Sequence, residues 1–386
     1  MRVIWHVEVL VFFVCASQIS IQFNAIAQIG ELPGGRSVEA NPKQINYPDH
    51  SNLMVVRDMV GNERPVETKS DWSQRVLHIR ANMQLVMGPI PEASARVPLD
   101  LELVSEERLA EYRRQKIRYT PEPNDRVPAW LLIPNTIPCN GKYAAILCLH
   151  QTTNIGKDEP AGLGGNASLH YAHELAERGY LCLVPDYPSF GEYEYDFKTK
   201  GSHYASGSMK AIWNNIRAID LLESLPQVDG NRIGTIGHSL GGHNCLFTAA
   251  LDERLKAVVT SCGFTPFHDY YQGKITGWTS DRYMPRIRDV FENNPDKVPF
   301  DFYEIVASLA PRGLYSNSPI HDDNFDVGGV RKAFAKAEEV YALLEKGSPK
   351  GAVTLLKLDT PDAPHDFPKS QRDSAYDWLD QMLSKH

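Results

Sequence analysis

The sequence has 386 residues, of which 42% are hydrophobic and 10% are aromatic. A chain of this length and composition can bury one large core, so intrinsic disorder is not expected. The formal net charge is −8 with acidic and basic residues interspersed, which excludes a basic stripe able to neutralise phosphates and hence a nucleic-acid partner.

The N-terminus has the features of an export signal. Residues 7–16 are mostly apolar, and Ala25-Ile26-Ala27 matches the small-residue pattern that signal peptidase cleaves. We therefore predict a signal peptide over residues 1–27 and a secreted or periplasmic protein. Two features oppose this: Arg2 is the single basic residue before the apolar run, and Glu8 lies inside it. A membrane anchor is the alternative, although this run is far shorter than the ~20 residues of a spanning helix.

Residues 28–97 are predicted to form an N-terminal extension. The stretch 30–71 is rich in Pro, Gly, Asn and charged residues, which is typical of an extended leader lying over a domain. The stretch 72–87 is predicted to be a docking helix because its apolar residues recur at spacings of three and four. These residues are Trp72, Val76, Ile79, Met83 and Val86.

From residue 98 onward the pattern is typical of strands. Apolar and polar residues alternate over 99–103, and together with 116–119 and 129–133 this predicts antiparallel strands at one edge of a sheet. The stretch 144–149 is continuously apolar, as in a parallel strand covered by helices on both faces. Similar runs recur at 180–184, 232–236, 255–260, 313–316 and 353–358.

Helical segments alternate with these strands, at 168–177, 207–225, 241–251, 330–344 and 371–383. This alternation predicts the fold class α/β, with a doubly wound, mostly parallel sheet in one domain over residues 98–386. Two long stretches, 187–204 and 263–310, do not follow the alternation. Both come after strands, at the sheet edge where open α/β sheets bind ligands, so we expect cap-like insertions over a binding site.

The run Gly237-His238-Ser239-Leu240-Gly241 has the form Gly-x-Ser-x-Gly, which is weak evidence by itself because it is common by chance. Here it lies between the predicted strand 232–236 and the predicted helix 241–251. Such a strand-to-helix turn exposes a strained serine and needs glycines on both sides of it. Ser239 is therefore predicted to be a nucleophile, and His238 to pack inside the turn.

A serine hydroxyl needs a base and an orienting carboxylate, which must be supplied later in this chain. His365 meets the first requirement, in a proline-rich loop between the last predicted strand and the last helix. For the acid, Asp322, Asp323 and Asp326 all follow the predicted strand 313–316. We select Asp322, and Asp323 stays open because spacing does not determine the geometry of a loop.

An oxyanion formed during the reaction needs two backbone N–H donors. The amide of Leu240, directly after the nucleophile, is predicted to be the first. The second is expected in the loop after the strand 144–149, where we favour Thr152 over Gln151. No cysteine pair has zinc-ligand spacing, so no metal is expected, and the cysteines in apolar runs are expected to be buried free thiols.

With these motifs the sequence resembles the α/β-hydrolase superfamily, and within it secreted esterases similar to dienelactone hydrolases and acetyl xylan esterases. The resemblance extends from about residue 98 to the C-terminus and implies an ester hydrolase without metal or organic cofactor. In such esterases the acid lies two residues before an Asn-Phe pair, which supports Asp322. The most specific matching segments are Leu149-His150-Gln151-Thr152-Thr153, Gly237-His238-Ser239-Leu240-Gly241-Gly242, Ser318-Pro319-Ile320-His321-Asp322-Asp323-Asn324-Phe325 and Pro364-His365-Asp366-Phe367.

Aromatic residues crowd both long stretches outside the strand–helix alternation, which is compatible with a cleft for sugar or aryl esters and equally with loops that pack on themselves. The expected substrate is a small-molecule or oligosaccharide ester, such as a deacetylation substrate from plant polysaccharide. Two alternatives stay open. One is a serine peptidase of the prolyl-oligopeptidase type, although the N-terminal region is too short for a β-propeller. The other is a catalytically inactive binding module.

Overall fold

A nine-stranded sheet forms the centre of the protein in the computed structural model, which describes residues 45–197, 204–345 and 353–383. A separate antiparallel pair, β1 with β2, lies outside this sheet. The strands are β1 (Val55–Arg57), β2 (Glu63–Pro65), β3 (Glu102–Arg108), β4 (Tyr112–Tyr119), β5 (Val127–Pro134), β6 (Tyr143–Leu149), β7 (Leu181–Pro185), β8 (Val228–His238), β9 (Leu255–Ser261), β10 (Gly313–Asn317) and β11 (Leu356–Asp359).

The sheet has the order β11-β10-β9-β8-β6-β7-β5-β4-β3. The strands from β11 to β7 in this order run parallel, and β5, β4 and β3 add antiparallel pairs at one edge. Because parallel neighbours need crossover connections, helices follow most of these strands. The predicted fold class, a doubly wound and mostly parallel sheet with an antiparallel edge, is confirmed.

The helices are α1 (Lys69–Met87), α2 (Tyr171–Glu177), α3 (Gly207–Ser224), α4 (Leu240–Leu251), α5 (Arg286–Asp289), α6 (Phe302–Ser308), α7 (Val327–Glu345) and α8 (Lys369–Met382). They cover both faces of the sheet. Alternate residues of β6 belong to different apolar clusters: Ala145 and Leu147 belong to the cluster that includes residues of α1, α3, α4, α6 and α7, whereas Ile146 and Cys148 belong to the one that includes residues of α2 and α8. Burial on both faces explains why the sequence of β6 is continuously apolar.

Helix α1 begins three residues before the predicted start. The side chain of Thr68 accepts a hydrogen bond from the amide of Asp71, whose carboxylate accepts from the amide of Thr68 in return, and this capping box sets the first turn. Trp72, Ile79 and Met83 of α1 are buried in the larger apolar cluster. A helix with a buried face is therefore present where the spacing predicted one, while its role as a docking helix of an N-terminal extension over residues 28–97 stays a prediction.

The first predicted strand is displaced in the structure. Alternation predicted a strand over 99–103, but β3 spans Glu102–Arg108 and all of its side chains are exposed, including Leu103. Among the described strands β3 pairs with β4 alone, and the pairing has a register shift between Leu103 and Ser105. An outermost strand with two solvated faces buries few apolar side chains. Apolar alternation therefore does not determine which residues form this strand or how they pair with β4.

The predicted signal peptide, residues 1–27, lies outside the described residues, as do residues 28–44 of the predicted leader. Within the described ranges, no helix has the length and apolar character needed to cross a membrane. His386 also lies outside these ranges. The prediction of export therefore rests on the sequence pattern alone.

Candidate active site

Ser239 lies on the turn between β8 and α4, with backbone angles φ 52° and ψ −115°. A positive φ is strained for a serine, and the surrounding backbone holds it: the amide of Ser239 donates to the carbonyl oxygen of Ser261 at 2.8 Å. A Cβ atom on Gly241 would lie 1.9 Å from the carbonyl oxygen of Leu149. Only glycine allows this close approach, so the predicted strand–turn–helix context of the motif is confirmed.

His365 and Asp322 are brought together at the carboxyl edge of the parallel strands. The Nδ1 atom of His365 lies 2.9 Å from Oδ1 of Asp322, and the Asp322 side chain is 1% exposed against 24% for His365. The same oxygen accepts hydrogen bonds from the amides of Asn324 and Phe325. Burial alone would raise the pKa of Asp322, but the His365 contact and the two amides hold it below its usual value.

The other two aspartates considered for this position lie elsewhere. Asp323 and Asp326 are both exposed, and Oδ1 of Asp326 accepts from the amide of Gly329 at the start of α7. The structure therefore brings Asp322, and neither of its competitors, into contact with His365.

His238 is the last residue of β8, directly before Ser239, and its ring contacts that of His365. It is buried, its Nδ1 atom lies 2.9 Å from the hydroxyl of Ser261, and its ring is edge-on to that of His365 with centroids 4.8 Å apart. Burial, with a smaller effect of the neighbouring His365, lowers the pKa of His238 to about 3, so its ring is neutral. His238 packs inside the turn as predicted and keeps the His365 ring beside it.

The backbone around Thr152 is oriented by a residue that the sequence did not single out for this role. His150 is buried, its Nε2 atom accepts a hydrogen bond from the amide of Tyr187 at 2.9 Å, and its Nδ1 atom lies 2.5 Å from the carbonyl oxygen of Gln151. Since Nε2 accepts, Nδ1 carries the proton and donates to Gln151. In a trans peptide the N–H points away from the preceding carbonyl, so the amide of Thr152 points away from His150.

A buried ion pair that sequence reasoning missed ties two loops of the site together. Asp186, at the end of β7, accepts hydrogen bonds from the amides of Lys157 and Glu192, and the Lys157 Nζ atom lies 3.1 Å from its Oδ2. Gly156 and Gly191 leave room for this carboxylate, since a Cβ on either would lie 2.1 Å from Oδ1. The loop after β6 and the loop after β7 are thus fixed relative to each other.

The aromatic residues of the long loops mostly pack against one another. Those in the second loop form a buried group that reaches His365 through Phe325, whose ring centroid lies 6.0 Å from the imidazole. In the second loop Tyr271 is 51% exposed and Tyr283 is half-buried. The buried members are Phe264, Phe267, Tyr270 and Trp278.

Cys262, Asp322 and His365 offer potential metal-ligand atoms that lie within 4.8 Å of one another. Burial, with the charge of Asp322, raises the pKa of the Cys262 thiol well above its usual value, and Nδ1 of His365 is already bonded to Asp322. A protonated thiol and an imidazole nitrogen that is already hydrogen-bonded are poor metal ligands. The thiols of Cys148, Cys182 and Cys245 are buried and free, as predicted; that of Cys262 is also buried, and that of Cys139 is exposed.

Comparisons with known proteins agree with this architecture. A family model described as "Glucuronyl esterase, fungi" matches residues 195–345. The solved structure of a glucuronoyl esterase from Solibacter usitatus superposes with a TM-score of 0.64 at 18% identity, covering 88% of this chain and 99% of that one. Acetyl xylan esterase 1 from Thermoanaerobacterium sp. JW/SL YS485 superposes with a TM-score of 0.52 at 16% identity, covering 83% and 95%. The chain has the α/β-hydrolase fold.

The chain is also similar in sequence to proteins whose names describe hydrolases and esterases. YtaP of Bacillus subtilis (strain 168), whose name assigns it to the hydrolases, is 26% identical over 277 residues, which is 68% of this chain and 87% of that protein. The 4-O-methyl-glucuronoyl methylesterase of Hypocrea jecorina (strain QM6a) is 27% identical over 150 residues, 35% of this chain and 32% of that protein. The second match covers about a third of each chain.

Proposed function

We propose that this α/β-hydrolase cleaves carboxylic esters of carbohydrates through an acyl-enzyme on Ser239, with His365 as the base and Asp322 as the acid that orients it. The observation that carries the proposal is the His365–Asp322 hydrogen bond, together with the contact of the His365 ring with His238, the residue before a strained serine at the start of a helix. Nδ1 of His365 is occupied by Asp322, which leaves Nε2 as the nitrogen able to take a proton from the serine hydroxyl.

In the proposed reaction the Ser239 oxygen attacks the ester carbonyl while its proton moves to Nε2 of His365. The buried carboxylate of Asp322, whose pKa is held low, stabilises the imidazolium that forms. Collapse of the tetrahedral intermediate breaks the bond to the alcohol oxygen, which takes the proton from His365. A water molecule then attacks the acyl-enzyme by the same route and releases the acid.

The oxyanion is proposed to accept hydrogen bonds from the amides of Leu240 and Thr152. Leu240 is the first residue of α4, so its N–H has no partner inside the helix and lies at the positive end of the helix dipole. Thr152 is favoured over Gln151 because the Gln151 carbonyl bonds to His150, which turns the next N–H in the opposite direction. No cofactor takes part in this scheme.

Carbohydrate esters are proposed because the family model and several relatives carry names of carbohydrate-ester hydrolases. Some of these names describe esterases of uronoyl esters and others describe acetyl esterases. The proposal therefore does not specify the acyl group or the alcohol of the substrate. Such substrates lie outside the cell, which is consistent with the predicted export signal in residues 1–27.

The test is covalent labelling with a fluorophosphonate together with turnover of 4-nitrophenyl acetate. Labelling and turnover by the wild type, both lost in Ser239→Ala, would support the proposal, whereas an unlabelled wild type would favour an inactive binding module. Cleavage of peptide 4-nitroanilides in preference to 4-nitrophenyl acetate would favour a peptidase. Acetylated xylan and a benzyl ester of glucuronic acid would then separate acetyl from uronoyl esters, and inactivity on both would leave a general carboxylesterase.

A further inference from the structure

Arg282 presents a cation at the surface of the second long loop. Its Nε atom donates to the hydroxyl of Ser189 at 2.8 Å, and its guanidinium carbon lies 4.5 Å from the ring centroid of Phe190. In residues 45–197, 204–345 and 353–383, no carboxylate oxygen lies within 4.0 Å of the guanidinium nitrogens. The exposed side chain is thus oriented by Ser189 and Phe190 without a partner of opposite charge among these residues.

The backbone that carries Arg282 is fixed against the start of α3. The amides of Gly207 and Ser208 donate to the carbonyl oxygens of Asp281 and Tyr283 at 2.9 and 3.1 Å. The Tyr187 hydroxyl donates to the carbonyl oxygen of Arg282 itself. A side chain at Gly207 would collide with that carbonyl, since its Cβ would lie 2.3 Å away. A guanidinium held on such a backbone loses little conformational freedom when it binds a ligand.

The contacts of Arg282 lead through aromatic side chains to residues of the proposed reaction centre. Phe190, on which it packs, forms a small apolar cluster with Tyr187, Ala211 and Leu240, and Tyr283 packs against this cluster. Leu240 directly follows the proposed nucleophile, and the hydroxyl of Tyr283 lies 3.2 Å from Oγ1 of Thr152. Phe190, and Tyr283 next to Arg282 in the sequence, therefore link the cation to the two residues proposed as oxyanion donors.

We propose that Arg282 binds a carboxylate on the substrate, so that the preferred esters are those of acidic sugars that carry a free carboxylate near the scissile bond. The planar guanidinium has paired N–H groups that match the two oxygens of a carboxylate. Its Nη atoms make no hydrogen bond within the described residues, so they are available to such a group. This inference rests on the proposed esterase function and narrows its substrate class.

Two pairs of esters that differ in one negative charge test the proposal. On the alcohol side, 4-acetoxybenzoate is compared with 4-acetoxybenzamide, and on the acyl side 4-nitrophenyl hemisuccinate is compared with 4-nitrophenyl butyrate. We expect the wild type to prefer the anionic member of one pair in kcat/KM. In Arg282→Gln that preference should fall roughly tenfold or more, as expected for a hydrogen bond to a charged group. Arg282→Lys should retain part of it.

Arg288→Gln is the matched control, because Arg288 is a nearby exposed arginine that pairs with Asp289 at 2.6 Å. It should leave the ratio of the two kcat/KM values at the wild-type level. If Arg282→Gln left the ratio of kcat/KM for the anionic and neutral esters unchanged, whether or not both values fell, the proposal would be overturned while the esterase function stands. Failure of the wild type to cleave any of the four esters and 4-nitrophenyl acetate, with no fluorophosphonate labelling, would overturn the esterase function and this inference together.

Discussion

Asp322 and His365 are 43 positions apart in the sequence, yet Oδ1 of the carboxylate lies 2.9 Å from Nδ1 of the imidazole. The carboxylate follows β10 and the imidazole follows β11, and these two strands are parallel neighbours. Since the carboxyl ends of parallel neighbours meet at one edge of the sheet, the two loops lie side by side. This relationship makes the roles of the aspartates in the loop after β10 testable.

Replacing Asp322 by Asn should reduce kcat for 4-nitrophenyl acetate by about 10⁴-fold, because an amide no longer stabilises the imidazolium and favours the wrong tautomer of His365. The exposed neighbour Asp323 provides the control, and Asp323→Asn should keep kcat near the wild-type value. Steady-state kinetics with equal circular-dichroism spectra would check this. A larger loss in Asp323→Asn than in Asp322→Asn would contradict the assignment.

The proposed second oxyanion donor is the backbone N–H of Thr152, which a proline removes and an alanine keeps. Thr152→Pro should lower kcat by about 10²- to 10³-fold, as found for the loss of one oxyanion donor, with a smaller change in KM. Thr152→Ala loses only the hydroxyl that contacts Tyr283 and should stay within a few-fold of the wild type. Equal losses in the two variants would assign the effect to the side chain instead.

Gly241 should not tolerate a side chain. In Gly241→Ala the new Cβ would lie 1.9 Å from the Leu149 carbonyl oxygen, so the turn must shift, at a cost of about 1–3 kcal/mol in stability. The shift would also displace Ser239 and Leu240 and lower kcat. At Gly230 the nearest atom to an added Cβ lies 3.5 Å away, so Gly230→Ala should leave both stability and kcat unchanged. Urea unfolding and turnover of 4-nitrophenyl acetate measure the two effects.

The helix α1 should contribute to the stability of the whole described fold. Ile79 is completely buried in the larger apolar cluster, so Ile79→Ala should lower the free energy of unfolding by about 2–5 kcal/mol. Ser70 is exposed on the same helix, and Ser70→Ala should have little effect. Chemical denaturation of the full chain would measure both changes. A separate early transition in Ile79→Ala, with the main transition unchanged, would instead indicate that the helix unfolds independently.

Stability should also depend on pH through His50. Burial would lower the pKa of His50, but the carboxylate of Glu304, 2.9 Å away, and that of Asp301 raise it above its usual value. A raised histidine pKa contributes stability that is complete below about pH 6.5 and is lost as the pH rises through the folded-state pKa. The melting temperature of His50→Gln should therefore lie further below that of the wild type at pH 6 than at pH 8.

The exposed His268 provides the control for this effect, because its partner Asp296 is also exposed. His268→Gln should melt close to the wild type at both values of pH. A gap between His50→Gln and the wild type that stays constant from pH 6 to pH 8 would show that protonation of His50 does not contribute.

Local patterns in the sequence were sufficient to predict the fold class of this protein. Continuous apolar runs predicted the parallel strands, and apolar residues at spacings of three and four predicted helices such as α1 and α3. This works because the buried face of a strand or a helix determines which residues close together in the sequence are apolar. The Gly-x-Ser-x-Gly motif was placed correctly on its turn for the same reason. The edge strand β3 was displaced, since two solvated faces leave no apolar pattern to set its register.

Contacts between distant residues were decided only by the tertiary structure. Sequence spacing could not choose between Asp322 and Asp323, because neighbouring residues in a loop point in different directions. Which of the two faces His365 depends on the loop conformation, in which the amides of Asn324 and Phe325 donate to the Asp322 carboxylate. The bond from His150 to Gln151 and the position of Arg282 over Phe190 likewise depend on where separate loops meet. Sequence periodicity indicates which face of a single helix or strand is buried. A functional site, in contrast, depends on how several helices, strands and loops are placed relative to one another.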